Sequence, residues 1–210
     1  MATSFITLEG IDGSGKSTQH LLLVEALRRR GLDVLATREP GGTSAGESIR
    51  SLLSTFSTAL APATELFLIV AARAQHVEEV IRPALRAGRT VVSDRYTDST
   101  VAFQGYGRGL DLEIIDEMNR FATGGLVPDL TILFDLETSV ARRRLDARTG
   151  DHEMSYFDRE EAAFHDRVRN GYLKLAAKEP DRFRIVDASG SIEQAHDQVM
   201  SIISNLKFEI

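Results

Sequence analysis

The 210-residue chain is 42% hydrophobic and 27% charged and contains no cysteine, which excludes disulfides, thiolate catalysis and Cys-based zinc sites. Its net charge of −6 argues against a protein that coats nucleic acid, so a phosphorylated ligand must be held by local cations. The length suits one domain spanning 1–210; no signal-like start and no membrane-length apolar run is seen, so a cytoplasmic protein with neither nucleic-acid nor membrane partners is expected.

Phe5-Ile-Thr-Leu8, short and apolar, reads as a buried first strand ending at Gly10. Ser17 to Arg30 carries Leu21, Leu22, Val24, Ala26 and Leu27 and stops at Gly31, which predicts a helix. Asp33 to Thr37 reads as a second strand, broken by Pro40-Gly-Gly42 and followed by a helix over Glu47 to Leu53. Thr64 to Arg86 has apolar residues at helical spacing and predicts one long helix. Thr90 to Ser93 is a third strand with Asp94-Arg95-Tyr96 at its end; Leu130 to Leu136 is a fourth and Arg184 to Asp187 a fifth, before a last helix from Ile192 to Leu206. Alternating strands and helices predict an α/β fold: a parallel five-stranded sheet flanked by helices on both faces. In such sheets ligands bind beyond the carboxyl ends of the strands, where Gly10, Arg38, Asp94 and Asp187 fall.

Gly10-Ile11-Asp12-Gly13-Ser14-Gly15-Lys16-Ser17, with Thr18 following, matches G-x-x-x-x-G-K-[ST] in full, between a strand and a helix. The backbone N–H groups of such a loop point at phosphate oxygens, Lys16 reaches the β- and γ-phosphates, and the Ser17 hydroxyl ligates Mg²⁺. The loop alone does not name a reaction. No Asn-Lys-x-Asp base-reading motif of a GTPase occurs. The Asp94-Arg95 pair sets a cation directly after a carboxylate, which suits an acceptor phosphate held beside the metal; a surface ion pair is the plainer alternative.

With these stretches in place the chain resembles bacterial thymidylate kinases. The resemblance runs through Glu9 to Thr18, Thr37-Arg-Glu-Pro-Gly-Gly-Thr43, Ala71-Ala-Arg73, Asp94-Arg-Tyr96 with Ser99-Thr100 and Gln104-Gly105, Pro128-Asp-Leu130, Phe164 to Tyr172 and Val186 to Ser189. It implies the P-loop kinase fold, a homodimer, and transfer of the γ-phosphoryl group of ATP to dTMP with Mg²⁺ held by Ser17 and Asp94. It implies that Asp12 accepts from the sugar 3′-hydroxyl, although capping a turn is an equal alternative. It implies that Arg38 and Arg95 hold the acceptor phosphate, with a cis proline after Glu39, and that Arg73 donates to a thymine carbonyl. It implies that Thr100 and Gln104, one turn apart if helical, read the remaining base edge, and that Phe103 sets its ring against the deoxyribose 2′-carbon, although a plain core residue is the alternative.

Ile69 stands where family members usually carry a stacking Phe, and the usual lid sequence Asp-Arg-aromatic-Glu appears as Ser155-Tyr-Phe-Asp158. The phosphate loop itself contains no arginine. The cations that neutralise the transferring group, beside Lys16 and Arg95, are therefore expected from a short arginine-rich lid at about 142–156, from Arg144, Arg148 and Arg143. A kinase for another nucleoside monophosphate or a deoxynucleoside is the near alternative, and a non-catalytic P-loop module the distant one.

Overall fold

The computed structural model describes residues 4–55, 60–147 and 160–205. Five apolar segments form strands β1 (Phe5–Glu9), β2 (Val34–Arg38), β3 (Thr90–Asp94), β4 (Leu130–Asp135) and β5 (Phe183–Asp187). All pair in parallel, in the order β2-β3-β1-β4-β5. β1, β3 up to Ser93 and β4 up to Phe134 are buried at residues pointing to both sides, a burial that only helices on both faces provide. The edge strands β2 and β5 alternate or open to solvent.

Helices α1 (Lys16–Arg29) and α9 (Ile192–Asn205) pack on each other; α2 (Ser44–Thr55) packs on α3 (Pro62–His76). The expected single helix over Thr64–Arg86 is corrected: α3 passes at Val77–Ile81 into one stretch of π-helix before the short α4 (Arg82–Arg86). The wider turn places Val77 and Ile81 in a small core with Phe5, Val91 and Tyr96. After β3 come α5 (Thr97–Thr100) and a second π-helical segment, Val101–Gly107. Three helices follow: α6 (Leu112–Thr123), capped by the Asp111 carboxylate and closed by left-handed Gly124; α7 (Thr138–Asp146); and α8 (Ala162–Lys178). The main core joins α1, α8 and α9 to the centre of the sheet through Leu23, Leu27, Ile132, Val168 and Val199.

This strand order fixes where ligands bind. From β1 the chain goes first to β2 and β3 on one side and later to β4 and β5 on the other, leaving a crevice at the carboxyl end of β1. In the ladder Leu8 and Arg38 both stand opposite Asp94, so β2 and β3 end level and β1 runs one residue further, to Glu9.

Candidate active site

The loop from Gly10 to Gly15 joins β1 to α1 at that crevice. Gly15 is the N-cap of α1 with φ 90°, a left-handed conformation that costs a side-chain residue energy. A Cβ on Gly13 would come within 2.6 Å of the Ala141 carbonyl, so α7 lies directly behind the loop. Lys16 is buried, and its Nζ lies 3.5 Å from the Ile11 carbonyl, folded back over the loop. Burial, with Arg95 nearby, holds its ammonium below the usual lysine range, against the pull of Asp94, Asp12 and Glu9. Ser17 donates from Oγ to Asp94 Oδ2 at 2.9 Å, while Asp94 Oδ1 and Ser14 Oγ are buried without a partner among the described residues. Thr18 is exposed on the outer side of α1.

Beside the loop lies a cleft of about 610 Å³ lined by Lys16, Ser17, Arg38, Arg50, Asp94 and Arg95, among others. Arg95 is held by four hydrogen bonds. It donates to the Gly10 carbonyl, Ser99 Oγ and Tyr172 Oη, all at 3.1 Å, and to Asp12 Oδ1 at 2.7 Å. Its guanidinium lies 4.8 Å from the centre of the Phe103 ring. Although burial opposes the charge, Asp12, Tyr172, Asp94 and Glu9 raise its pKa further. Arg38 pairs with Glu47 at 3.1 Å, both half open to solvent, and Glu47 also accepts from Gly42 N–H. Arg50 donates to the carbonyl of Pro40, which follows Glu39 through a cis peptide bond. Burial and the neighbouring Arg38 lower its pKa. Sequence reasoning missed Arg50; its place two turns into a helix that follows the Pro40-Gly-Gly42 break was the available signal.

A narrower pocket adjoins the cleft, lined by Pro40, Ile69, Arg73, Arg95, Thr100, Phe103 and Gln104, with Glu39 and Ser99. Every residue expected to read the acceptor's base is here, beside Arg95 from the acceptor-phosphate pair. Ile69 and Arg73 sit one turn apart on α3. Arg73 is 1% exposed, yet donates to Glu39 Oε2 (2.7 Å), Thr100 Oγ1 (2.7 Å), Asn119 Oδ1 (2.6 Å) and the Tyr96 carbonyl (2.9 Å). Of its five N–H groups, one on Nη2 is left for a ligand. Phe67 is 62% exposed and stands outside the pocket, so it supplies no ring in place of Ile69.

Three buried carboxylates underpin this arrangement, and the sequence reading assigned none of them a role. Glu39 accepts from Arg73 and contacts His76 Nδ1 at 2.9 Å; Glu65 accepts from Gln104 and Arg108. Glu9 accepts from Tyr96 N–H at 2.8 Å, Ser99 Oγ at 2.6 Å and Tyr172 Oη at 2.8 Å. Burial, then Asp98, pushes the Glu9 carboxyl up to about 7 in spite of Arg95 and these hydrogen bonds. Arg144, on α7, donates to the carbonyls of Ser189 and Gly190, both at 3.3 Å. Arg148, Ser155 to Asp158 and most of the expected lid lie outside the described residues.

The glycine loop that ends in Lys16 and Ser17 shares one cleft with Arg38 and Arg95 from the ends of β2 and β3. A loop of this pattern between the first strand and helix of a parallel five-stranded sheet is the mark of a P-loop kinase fold. A family model described as thymidylate kinase matches residues 8–199. The chain belongs to the thymidylate kinase family. It is 49% identical to the thymidylate kinase of Solidesulfovibrio magneticus over 207 residues, 96% of this chain and 99% of that one. It is 52% identical to that of Citrifermentans bemidjiense over 195 residues, 90% of this chain and 86% of that one. The crystal structure of thymidylate kinase from Ehrlichia chaffeensis superposes with a TM-score of 0.78 at 34% identity, covering 97% of this chain and 99% of that one.

Proposed function

We propose that this enzyme transfers the γ-phosphoryl group of ATP to dTMP, giving dTDP, with Mg²⁺ as cofactor. The observation that carries the acceptor assignment is that Arg95 lines both the phosphate cleft and the narrower pocket. One molecule with a phosphate at one end and a pyrimidine at the other therefore fits across them. Arg38, Arg50 and Arg95 hold the acceptor phosphate; planar guanidinium groups donate two parallel bonds to phosphate oxygens. Asp12, bonded to Arg95, is a carboxylate and accepts from the sugar hydroxyl. Phe103 presents carbon where a ribose 2′-hydroxyl would need a partner. Ile69 and Pro40 supply the apolar walls.

The residues present fit Mg²⁺: Asp94 has one buried oxygen without a partner among the described residues, and the Ser17 hydroxyl is bonded to the other. One hydroxyl and one carboxylate suit an ion that completes its shell with water and phosphate oxygens. Mg²⁺ would neutralise charge on the donor phosphates. The attacking oxygen belongs to a phosphate already ionised at neutral pH, so the chain need not supply a general base. Lys16 and Arg95 collect the charge that spreads over the moving group. Arg144 and Arg148 are proposed to complete that set from the lid side.

The same reading makes the enzyme a cytoplasmic homodimer. Its support is an apolar stripe on α3 and α6 in which Phe67 and Phe121 are 62% and 90% exposed, with Ile114 exposed on α6 two turns before Phe121. Sedimentation of the wild type and of Phe121→Asp tests this; a monomeric wild type refutes it. No helix among the described residues is long and apolar enough to cross a membrane.

The functional test is ADP release with ATP, Mg²⁺ and a panel of dTMP, dUMP, dCMP, UMP, GMP, AMP and thymidine. The expected result is fastest turnover with dTMP. A purine preference would contradict the base assignment, and no stimulation by any monophosphate would contradict the reaction.

A further inference from the structure

Gln104, buried on the segment 101–107, lines the narrow pocket with an amide whose two ends are chemical opposites. Its Nε2 donates to Glu65 Oε1 at 2.7 Å. Glu65 is fully buried on α3, two turns before Arg73 on the same face, and does not line the pocket. Arg108 holds it, with Nη2 3.0 Å and Nε 3.2 Å from Oε2. A carboxylate in an ion pair has only acceptors to offer. It therefore takes the NH₂ end of Gln104, because the opposite orientation would set two acceptors face to face. The amide oxygen Oε1 is left without a partner among the described residues.

We propose that Glu65 is a positioning residue that fixes the orientation of the Gln104 amide, and through it selects pyrimidines carrying a proton on N3. Resting on the reading that this pocket takes the acceptor's base, the assignment explains rejection of cytosine. Thymine and uracil offer an N3–H, which Oε1 accepts; cytosine offers a bare N3 lone pair, which Oε1 repels. The neighbours match the same choice. Thr100 Oγ1 accepts from Arg73 and keeps its own proton to donate, and Arg73 keeps one N–H. Two donors and one acceptor complement the two carbonyls and one N–H of an imide edge. Glu65 thus does for Gln104 what Glu39 does for Arg73: a buried carboxylate behind the pocket decides which atom faces the ligand.

Glu65→Gln tests this, because a glutamine can donate or accept and so releases the constraint at nearly constant shape. The ratio of kcat/KM for dTMP to that for dCMP is expected to fall by about tenfold or more, mostly through a lower KM for dCMP. If Glu65 only supports the fold, both substrates weaken together; an unchanged ratio in a folded variant overturns the proposal. If that variant does not fold, a structure of the wild type with dTMP decides. N3 within about 2.7–3.2 Å of Oε1 while Nε2 stays on Glu65 supports the proposal, and N3 bonded elsewhere overturns it. A wild type inactive on dTMP would instead remove the functional reading itself, whereas an active wild type with an unchanged ratio removes only the role of Glu65.

Discussion

Arg95 Nη2 lies 2.7 Å from Asp12 Oδ1, tying the residue after β3 to the middle of the phosphate loop. Burial alone would raise the Asp12 carboxyl, but Arg95 and Lys16 hold it below the usual aspartate range. Arg95 makes this contact from φ 74°, the one positive φ of a non-glycine residue among those described.

That backbone angle separates side-chain loss from strain. Arg95→Ala and Arg95→Gly both remove the guanidinium, and both should raise KM for dTMP strongly. The glycine variant should be about 1 kcal/mol more stable than the alanine one in urea denaturation, because it lacks the Cβ that opposes the left-handed angle. Equal stabilities would mean that the angle carries no cost.

Lys16→Ala should lower kcat by about 10² or more, the loss typical of removing one group that stabilises charge in the transition state. Circular dichroism and the melting temperature should show an intact fold. A near-normal kcat would contradict the role given to Lys16.

Glu9 provides a pH signature. Its carboxyl is raised from 4.5 to about 7 on folding, so between those values the folded state binds the proton more readily than the unfolded chain. Stability therefore falls as pH rises through that window, by a contribution on the order of 3 kcal/mol that is complete above about pH 7. Glu9→Gln lacks this term. Its stability relative to wild type should climb between pH 4.5 and 7 and then level off, as read by denaturation at a series of pH values. A constant difference would show that Glu9 does not titrate there.

Ile69→Phe should lower KM for dTMP about fivefold, the equivalent of roughly 1 kcal/mol for a ring laid against the base. Pro40 and Phe103 bound the same pocket. A raised KM would show that they leave no depth for a second ring.

The three inner strands were legible because strands buried on both faces must be runs such as Leu130 to Phe134, a signal that needs no tertiary information, and the edge strands β2 and β5 were legible as short β-branched segments. The phosphate loop was legible for a similar reason: its chemistry lies within eight consecutive residues. The π-helical stretches at Val77–Ile81 and Val101–Gly107 leave no comparable mark, since one widened turn shifts the helical phase without a diagnostic residue. α6 had a signal, Asp111 before it and Gly124 after it, that the sequence reading left unused.

The cations of the site were easier to anticipate than their counter-charges. Arg38, Arg73 and Arg95 stand beside recognisable motifs. Glu39 is 34 residues from Arg73, Glu65 is 39 from Gln104, and Glu9 is 87 from Tyr96, whose N–H it accepts. No periodicity links such pairs; only folding brings them together. Each belongs to a buried polar network in which losing one member strands the rest, which makes these carboxylates harder to replace than the surface pair Arg38–Glu47.

The ends of β1, β2 and β3, within one residue of one another, act as a ruler for insertions and deletions. Each strand is five residues long, and each is followed at once by a working part: Gly10 of the loop, Glu39 behind Arg73, and Arg95. Adding or removing one residue within any of these strands turns every later side chain of that strand to the opposite face. In β3 the loss of one residue would put Arg95 in the place of Asp94 beside Ser17, reversing the charge offered there. Variation in length among functional descendants of this sequence should therefore gather away from these strands and their first following residues, in segments such as Gly31–Asp33 or Gly124–Pro128.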